Sequence, residues 1–331
     1  MVKIGNLLLN DFPLLLAPME DVSDPPFRHV CKKNGADLMF TEFISSEGLI
    51  RDAIKSKKKL DIFEEERPVG IQIFGGDEDA MALSAKIVDA THPDIVDINF
   101  GCPVKKVVCK GAGAAVLKNL DLMVRLTRAV VRSTQLPVTI KTRLGWDENS
   151  INIIEVAERL QDEGIKAISI HGRTRSQLYK GKANWEWIGK VKNNPRITIP
   201  VFGNGDLLSP EDVKHARDTF GVDGVMLGRA AIGNPWIFRE IKHFLLTGNH
   251  LPPPNISERV AMCRLHFSQS LIWKGEKLGM LEMRRHYTNY FRGLPNFKPI
   301  RTFLVTSLDA VQILETLQRL ESTPNSLPSI A

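Results

Sequence analysis

Eight short apolar runs recur along the first 240 residues, at 14–18 (LLLAP), 37–42 (DLMFTE), 69–75 (VGIQIFG), 94–101 (DIVDINFG), 138–143 (VTIKTR), 167–173 (AISIHGR), 200–205 (PVFGNG) and 223–229 (DGVMLGR). Between them lie longer stretches whose apolar residues return every three to four positions, as at 82–92, 122–133 and 151–164. Runs of the first kind predict strands and the second kind predicts helices. In 151–164, Ile154, Val156, Ala157 and Leu160 share helical spacing, and Gly164 marks the stop. Eight strand–helix units over about 230 residues fit a (β/α)8 barrel. An open doubly wound sheet has fewer strands, and no GxGxxG follows the first run.

The runs share an ending. Each closes on a polar or glycine-bearing cluster: Pro18-Met19, Glu42, Gln72, Asn99 to Cys102, Lys141 to Arg143, His171 to Arg173, Asn204 to Asp206, and Gly228-Arg229. In a barrel these positions face one mouth, where chemistry is built. After Pro235 the pattern changes. LPPPN at 251–255 is a stiff break, and helical periodicity resumes from Ser257, read as a helix cap, through 321. The expected organisation is α/β: a TIM-barrel domain over 1–250, a C-terminal all-α domain over 251–321, and a loose tail at 322–331.

Length and composition fit that division. The chain has 331 residues, 43% hydrophobic and 25% charged, which excludes wholesale disorder. No apolar run approaches the roughly 18–20 residues of a bilayer span, and no secretory signal is visible. Cys31, Cys102, Cys109 and Cys263 form no CxxC pair, so neither a metal site nor a disulfide framework is expected. Cytoplasm is the default compartment, and a monomer is the expected state. The net charge of +6 is unevenly spread. From Arg259 to Arg301 nine basic side chains face two acids, so this segment carries +7 and suits a polyanion.

The mouth residues suggest a phosphate-bearing ring ligand. Glycine turns follow strands seven and eight (203–212 and 227–236), where barrels commonly hold phosphate. Lys141 interrupts an apolar strand and can face negative charge on a ring such as a reduced flavin. Gln72 can read a ring edge, and His171 ends its strand in a similar place. Singly, each has an ordinary structural explanation. Cys102 sits in a Gly-Cys-Pro turn, with a glycine-rich lid candidate at 111–113. A thiol is mostly protonated at neutral pH and can act as a general acid.

Taken together, APMEDVSDPPFR (17–28), INFGCPVKKV (98–107), KTRLGW (141–146), HGRTRSQLYKG (171–181), GNGD (203–206) and LGRAAIGNPWIF (227–238) resemble the tRNA-dihydrouridine synthases, most closely the bacterial B-type subgroup. The resemblance implies an FMN barrel with a helical tRNA-recognition domain. It also implies reduction of the C5–C6 bond of selected tRNA uridines with NADPH. By motif, FMN is expected at Pro18, Met19, Gln72, Lys141, His171, Asn204, Gly205, Asp206, Gly228 and Arg229. Hydride is expected from flavin N5 to C6, and the proton to C5 from Cys102. Asn99, Arg143 and Tyr179 fall where the family holds uracil. Glu20 follows the APM motif, where relatives often carry a small residue, and is assigned no role. Phosphate contacts are expected from Lys105, Lys106, Lys110, Arg173 and Arg175 near the mouth, and from Arg284, Arg285 and Arg292 in the basic segment. The alternatives are an FMN barrel acting on a free pyrimidine such as dihydroorotate, and a non-catalytic tRNA binder. The first needs no basic helical domain; an intact Cys102, Lys141 and His171 set argues against the second.

Overall fold

The structure, a computed structural model, describes residues 1–322. It opens with a hairpin of β1 (Val2–Ile4) and β2 (Leu7–Leu9), antiparallel in the register Val2 to Leu9. Eight parallel strands then close a barrel: β3 (Leu14–Leu16), β4 (Leu38–Phe40), β6 (Val69–Phe74), β7 (Ile95–Asn99), β8 (Val138–Arg143), β9 (Ala167–His171), β10 (Val201–Asn204) and β11 (Gly224–Leu227). A short β5 (Ile44–Ser45) pairs with the outer end of β6. Closure is complete because β11 pairs with β3, β3 with β4, and β4 with β6. All eight expected strands are present; Val138–Arg143 matches in full and the others are trimmed by a residue or two at one or both ends. The hairpin is an addition. Its Val2, Ile4 and Leu9 pack with Leu38, Ile95, Ala167 and Phe202 near the strand starts, so apolar side chains plug the end opposite the mouth.

The helices between strands bury one face each. In Ile153–Asp162 the inward residues are Ile153, Val156, Ala157 and Leu160, and Gly164 follows at φ 99°. Ile153 thus takes the inward place expected of Ile154. Ser209 caps Pro210–Phe220 in a reciprocal capping box with Asp212, as the Ser-Pro-Glu-Asp run implies.

The chain divides into two compact units. One holds residues 1–23 and 36–228; the other holds 24–35 and the chain from Arg229 onward. The sequence division lay at 250/251 and kept 24–35 with the barrel. The second unit comprises Pro25–Lys33, Ile237–Thr247, Ile256–Lys274, Glu276–Tyr290, Lys298–Thr306 and Ala310–Ser322. Asn255, not Ser257, caps the third of these, paired reciprocally with Glu258. The core of this unit includes Trp236, Cys263, Phe267, Met283, Tyr287, Tyr290 and Leu304. Phe27 stacks on His266 at 5.6 Å, and the buried Lys274 ammonium is bridged to Asp24 and Glu282. The tail expected at 322–331 lies, from residue 323, outside the described residues. Among the described residues no helix is long and apolar enough to cross a membrane, and no acidic, His or Cys cluster has metal-binding geometry.

Candidate active site

Barrel register stacks the polar strand ends in rows. Gln72 lies beside Asp97 and Asp97 beside Thr139; one row outward, Asn99 lies beside Lys141; further out, His171 lies between Arg143 and Asn204. Alternation along a strand keeps each such row on one face.

Cys102 follows β7 in a tight turn. Asn99 Oδ1 accepts from the backbone N–H of Gly101 (2.9 Å) and of Cys102 (2.8 Å). On the other side, Arg143 Nε donates to Gly101 O at 2.8 Å. Cys102 is 6% exposed and packs with Val107 and Ala112, with Phe43 and Phe74 alongside. Gly113 makes this closeness possible. At φ 58°, a Cβ there would lie 2.9 Å from Cys102 O and from Val107 Cγ1. Burial pushes the Cys102 thiol up; the neighbouring Glu20 charge adds to this, while Val104 N–H, Arg143 and Lys141 oppose it. The group is therefore a protonated acid at neutral pH.

Lys141 is partly buried, its Nζ 3.4 Å from Asn204 Oδ1. Burial, aided by the Arg143 charge, pulls its ammonium down to about 8; Asp97 and Cys102 partly offset this. A cation so placed gains most from an anionic partner. Asn204 Nδ2 donates to Met226 O at 2.7 Å, which locks the amide that meets Lys141. Gly205 follows at φ 124°; a Cβ there would come within 3.0 Å of the His171 ring.

His171 and Arg173 form a clasp with Asp206. Arg173 Nη1 lies 3.3 Å from His171 Nε2. A guanidinium can only donate, so Nε2 accepts and the ring proton sits on Nδ1. Arg173 Nη2 reaches Asp206 at 2.7 Å and Gly181 O at 2.6 Å, and its Nε donates to Lys180 O. At 2% exposure, with its donors turned onto the chain, Arg173 is a buried strut rather than the surface phosphate contact expected of it.

Arg143 is buried as well. Its Nη1 donates to Thr174 O and Leu178 O, which ties the 174–179 loop to the Cys102 turn. Burial pulls it down to about 10, still cationic at neutral pH. Tyr179 is exposed, with the Arg143 guanidinium 5.7 Å from its ring centroid and the His171 ring 6.3 Å away. Arg175 stacks on Trp146 at 4.4 Å, and Lys118 lies 3.8 Å from the same ring. Lys105 and Lys106 are exposed in the short helix Lys105–Val108, and Lys110 is exposed just after it.

The first unit thus gathers Gln72, Asn99, Cys102, Lys141, Arg143, His171, Arg173, Asn204, Gly205 and Asp206. Pro18, Met19 and Gly228 end neighbouring strands, with Met19 Sδ 3.6 Å from the Cβ position of Gly228. Arg229 is exposed in the turn Arg229–Ala231 that opens the second unit. On the second unit, Arg285 and Arg292 are exposed, while Arg284 is half-buried and donates to Thr306 O at 3.4 Å. Sequence reasoning passed over Asp97, Thr139, Trp146 and Lys118. Asp97 carried a signal, since a charge two residues before Asn99 in an apolar run shares its inward face.

The chain is similar to known proteins in sequence and in fold. The family model described as dihydrouridine synthase matches residues 15–325. The tRNA-dihydrouridine synthase B of Pseudomonas putida is 41% identical over 300 residues, covering 91% of this chain and 88% of that protein. Its Yersinia pestis counterpart is 39% identical over 318 residues, covering 96% and 98%. Among solved structures, histamine dehydrogenase from Rhizobium sp. 4-9 superposes with a TM-score of 0.57 at 11% identity, over 81% of this chain and 50% of that one. A morphinone reductase mutant in complex with tetrahydroNAD gives 0.52 at 13% identity, over 78% and 92%. At such identities these two likenesses show the fold alone.

Proposed function

The chain belongs to the dihydrouridine synthase family, and from that premise we propose that it reduces the C5–C6 bond of uridines in tRNA to 5,6-dihydrouridine, using FMN with NADPH as reductant. The observation that carries the reading is the mouth itself: a protonated thiol held by a double backbone clamp, in a barrel end that also holds a cation weakened by burial.

The residues fit a flavin. Lys141 offers an ammonium that an anionic ring edge would restore to its ordinary range. His171 carries its proton on Nδ1, and Gly205 leaves room beside it. Gly205 and Gly228 end adjacent strands, where backbone can approach phosphate. When bound, FMN supplies the hydride that reduces C6. This chain's own residues do the rest. Cys102 gives its proton to C5, and burial keeps that proton in place until a carbanionic carbon meets it. Arg143, cationic and pinned by three carbonyls, faces developing negative charge without needing to reorganise. Tyr179, exposed over Arg143, offers a ring face to a base taken out of the stack. Arg173 acts by holding His171, Asp206 and the 180–181 backbone together. Lys105, Lys106, Lys110 and the Arg175–Trp146 pair, with Arg285 and Arg292 on the helical unit, take phosphates. These contacts place the tRNA without reading bases.

Cys102→Ala tests the assignment. FMN binding and NADPH oxidation are expected to persist while dihydrouridine formation falls by about a hundredfold or more, the usual contribution of a positioned general acid. Full activity would refute it.

A further inference from the structure

Inside the barrel, the Asn99 clamp on the thiol turn is the last link of a polar chain whose inner end, Asp97 and Thr139, the reading above does not use. Asp97 Oδ1 accepts from the Thr139 hydroxyl at 2.5 Å, and Oδ2 accepts from Gln72 Nε2 at 2.5 Å. Gln72 Oε1 accepts from Asn99 Nδ2 at 2.7 Å. Asn99 Oδ1 then accepts from the N–H groups of Gly101 and Cys102. Asp97, Gln72, Asn99 and Thr139 are all buried.

An amide side chain can in general be turned over, exchanging its donor for its acceptor. Here both ends of the chain forbid it. A carboxylate can only accept, and two backbone N–H groups can only donate. Every bond between them is therefore given one direction. Turning over either amide would set oxygen against oxygen at one end and N–H against N–H at the other, among buried groups. Burial pushes the Asp97 carboxyl up to about 6, with Gln72, Thr139 and Lys141 holding it down, so it is anionic at neutral pH.

We infer that Asp97 is a positioning residue for the reaction: through Gln72 and Asn99 it dictates the hydrogen-bond polarity that holds the Gly101–Cys102 turn, and with it the thiol. The inference rests on the reading of Cys102 as the proton donor. It explains why an acid sits in the middle of β7, where an apolar residue would be less costly.

The chemistry of the chain supplies its own test, because its polarity can be reversed. Asn99→Asp puts an acceptor against Gln72 Oε1; turning Gln72 over then drives that oxygen against Asp97. Adding Asp97→Asn removes the conflict. The new amide at position 97 donates to Gln72 Oε1, Gln72 Nε2 donates to the new carboxylate at position 99, and the turn N–H groups and the Thr139 hydroxyl keep their acceptors. Full-length enzyme carrying each change, and both, is assayed for single-turnover uridine reduction after pre-reduction, for KM toward tRNA, and for urea unfolding.

Asn99→Asp is expected to slow reduction at least about tenfold, and the double variant to be at least about threefold faster than Asn99→Asp alone, a coupling of the size found for contacting residues. A double variant as slow as Asn99→Asp overturns the inference, even if its stability recovers, since a purely structural role moves stability alone. If Asn99→Asp does not fold, recovery of folded, active double variant supports the inference and continued failure overturns it. The two readings fail separately. Full activity in Cys102→Ala removes the proton donor, whereas a double variant that stays slow while Cys102→Ala is inactive removes the positioning role alone.

Discussion

Lys141 gives the sharpest test of the ring-binding mouth, because its replacement should move two measurements in opposite directions. Burial takes its ammonium from 10.5 to about 8 in the protein without ligand. At about 1.4 kcal/mol per unit, the free protein carries about 3 kcal/mol of destabilisation at neutral pH. The sign follows from linkage. A depressed basic group costs stability in full below about 8 and releases that cost as pH rises to 10.5. Lys141→Met keeps the length of the stem and removes the charge. The ligand-free variant should therefore be more stable than the parent at pH 7, by up to about 3 kcal/mol, with the gap closing above pH 8. FMN binding should move the other way. If an anionic ring edge restores the ammonium, its loss should weaken FMN by on the order of a hundredfold at pH 7. Urea unfolding of ligand-free protein and fluorescence titration with FMN, each across pH, read the two effects. A variant that is less stable without ligand, or that binds FMN as tightly as the parent, refutes the placement of Lys141 against the ring.

The remaining predictions concern the Gly113 turn, the inner carboxylate and the basic helices. Gly113→Ala sets a Cβ 2.9 Å from Cys102 O in a left-handed conformation, so it should cost about 1–3 kcal/mol in urea unfolding and slow reduction with it. Asp97 is raised from 3.8 to about 6, so stability tied to its protonation is present below 3.8 and is lost as pH rises through 6. Asp97→Asn should remove that loss, so its stability relative to the parent should rise by up to about 3 kcal/mol from pH 4 to pH 7; a pH-independent difference would count against it. Arg285 and Arg292 are exposed, whereas Arg284 is tied to Thr306 O. Replacing the exposed pair with glutamine should weaken tRNA binding and flatten its salt dependence by about two units of log–log slope. Arg284→Gln should affect stability more than that slope.

The eight apolar runs, their polar endings and the basic segment were legible along the chain, because strand period, glycine turns and charge are local properties. They determined the barrel, the mouth and the residue types gathered there. What tertiary structure alone decided is which of those polar groups work on a ligand and which work on one another. Arg173 reads as a phosphate contact in sequence, yet it is spent on His171, Asp206 and two carbonyls. Asp97 reads as one stray charge, yet it terminates the chain of amides behind Cys102. Residues 24–35 follow the first strand but share a compact unit with helices more than 200 residues away. Such partnerships rest on strand register and on burial, which turns an unmatched donor or acceptor from a minor matter in water into a cost the fold must meet. A residue's type limits the bonds it can make, and only its neighbours across the barrel determine which bond is formed.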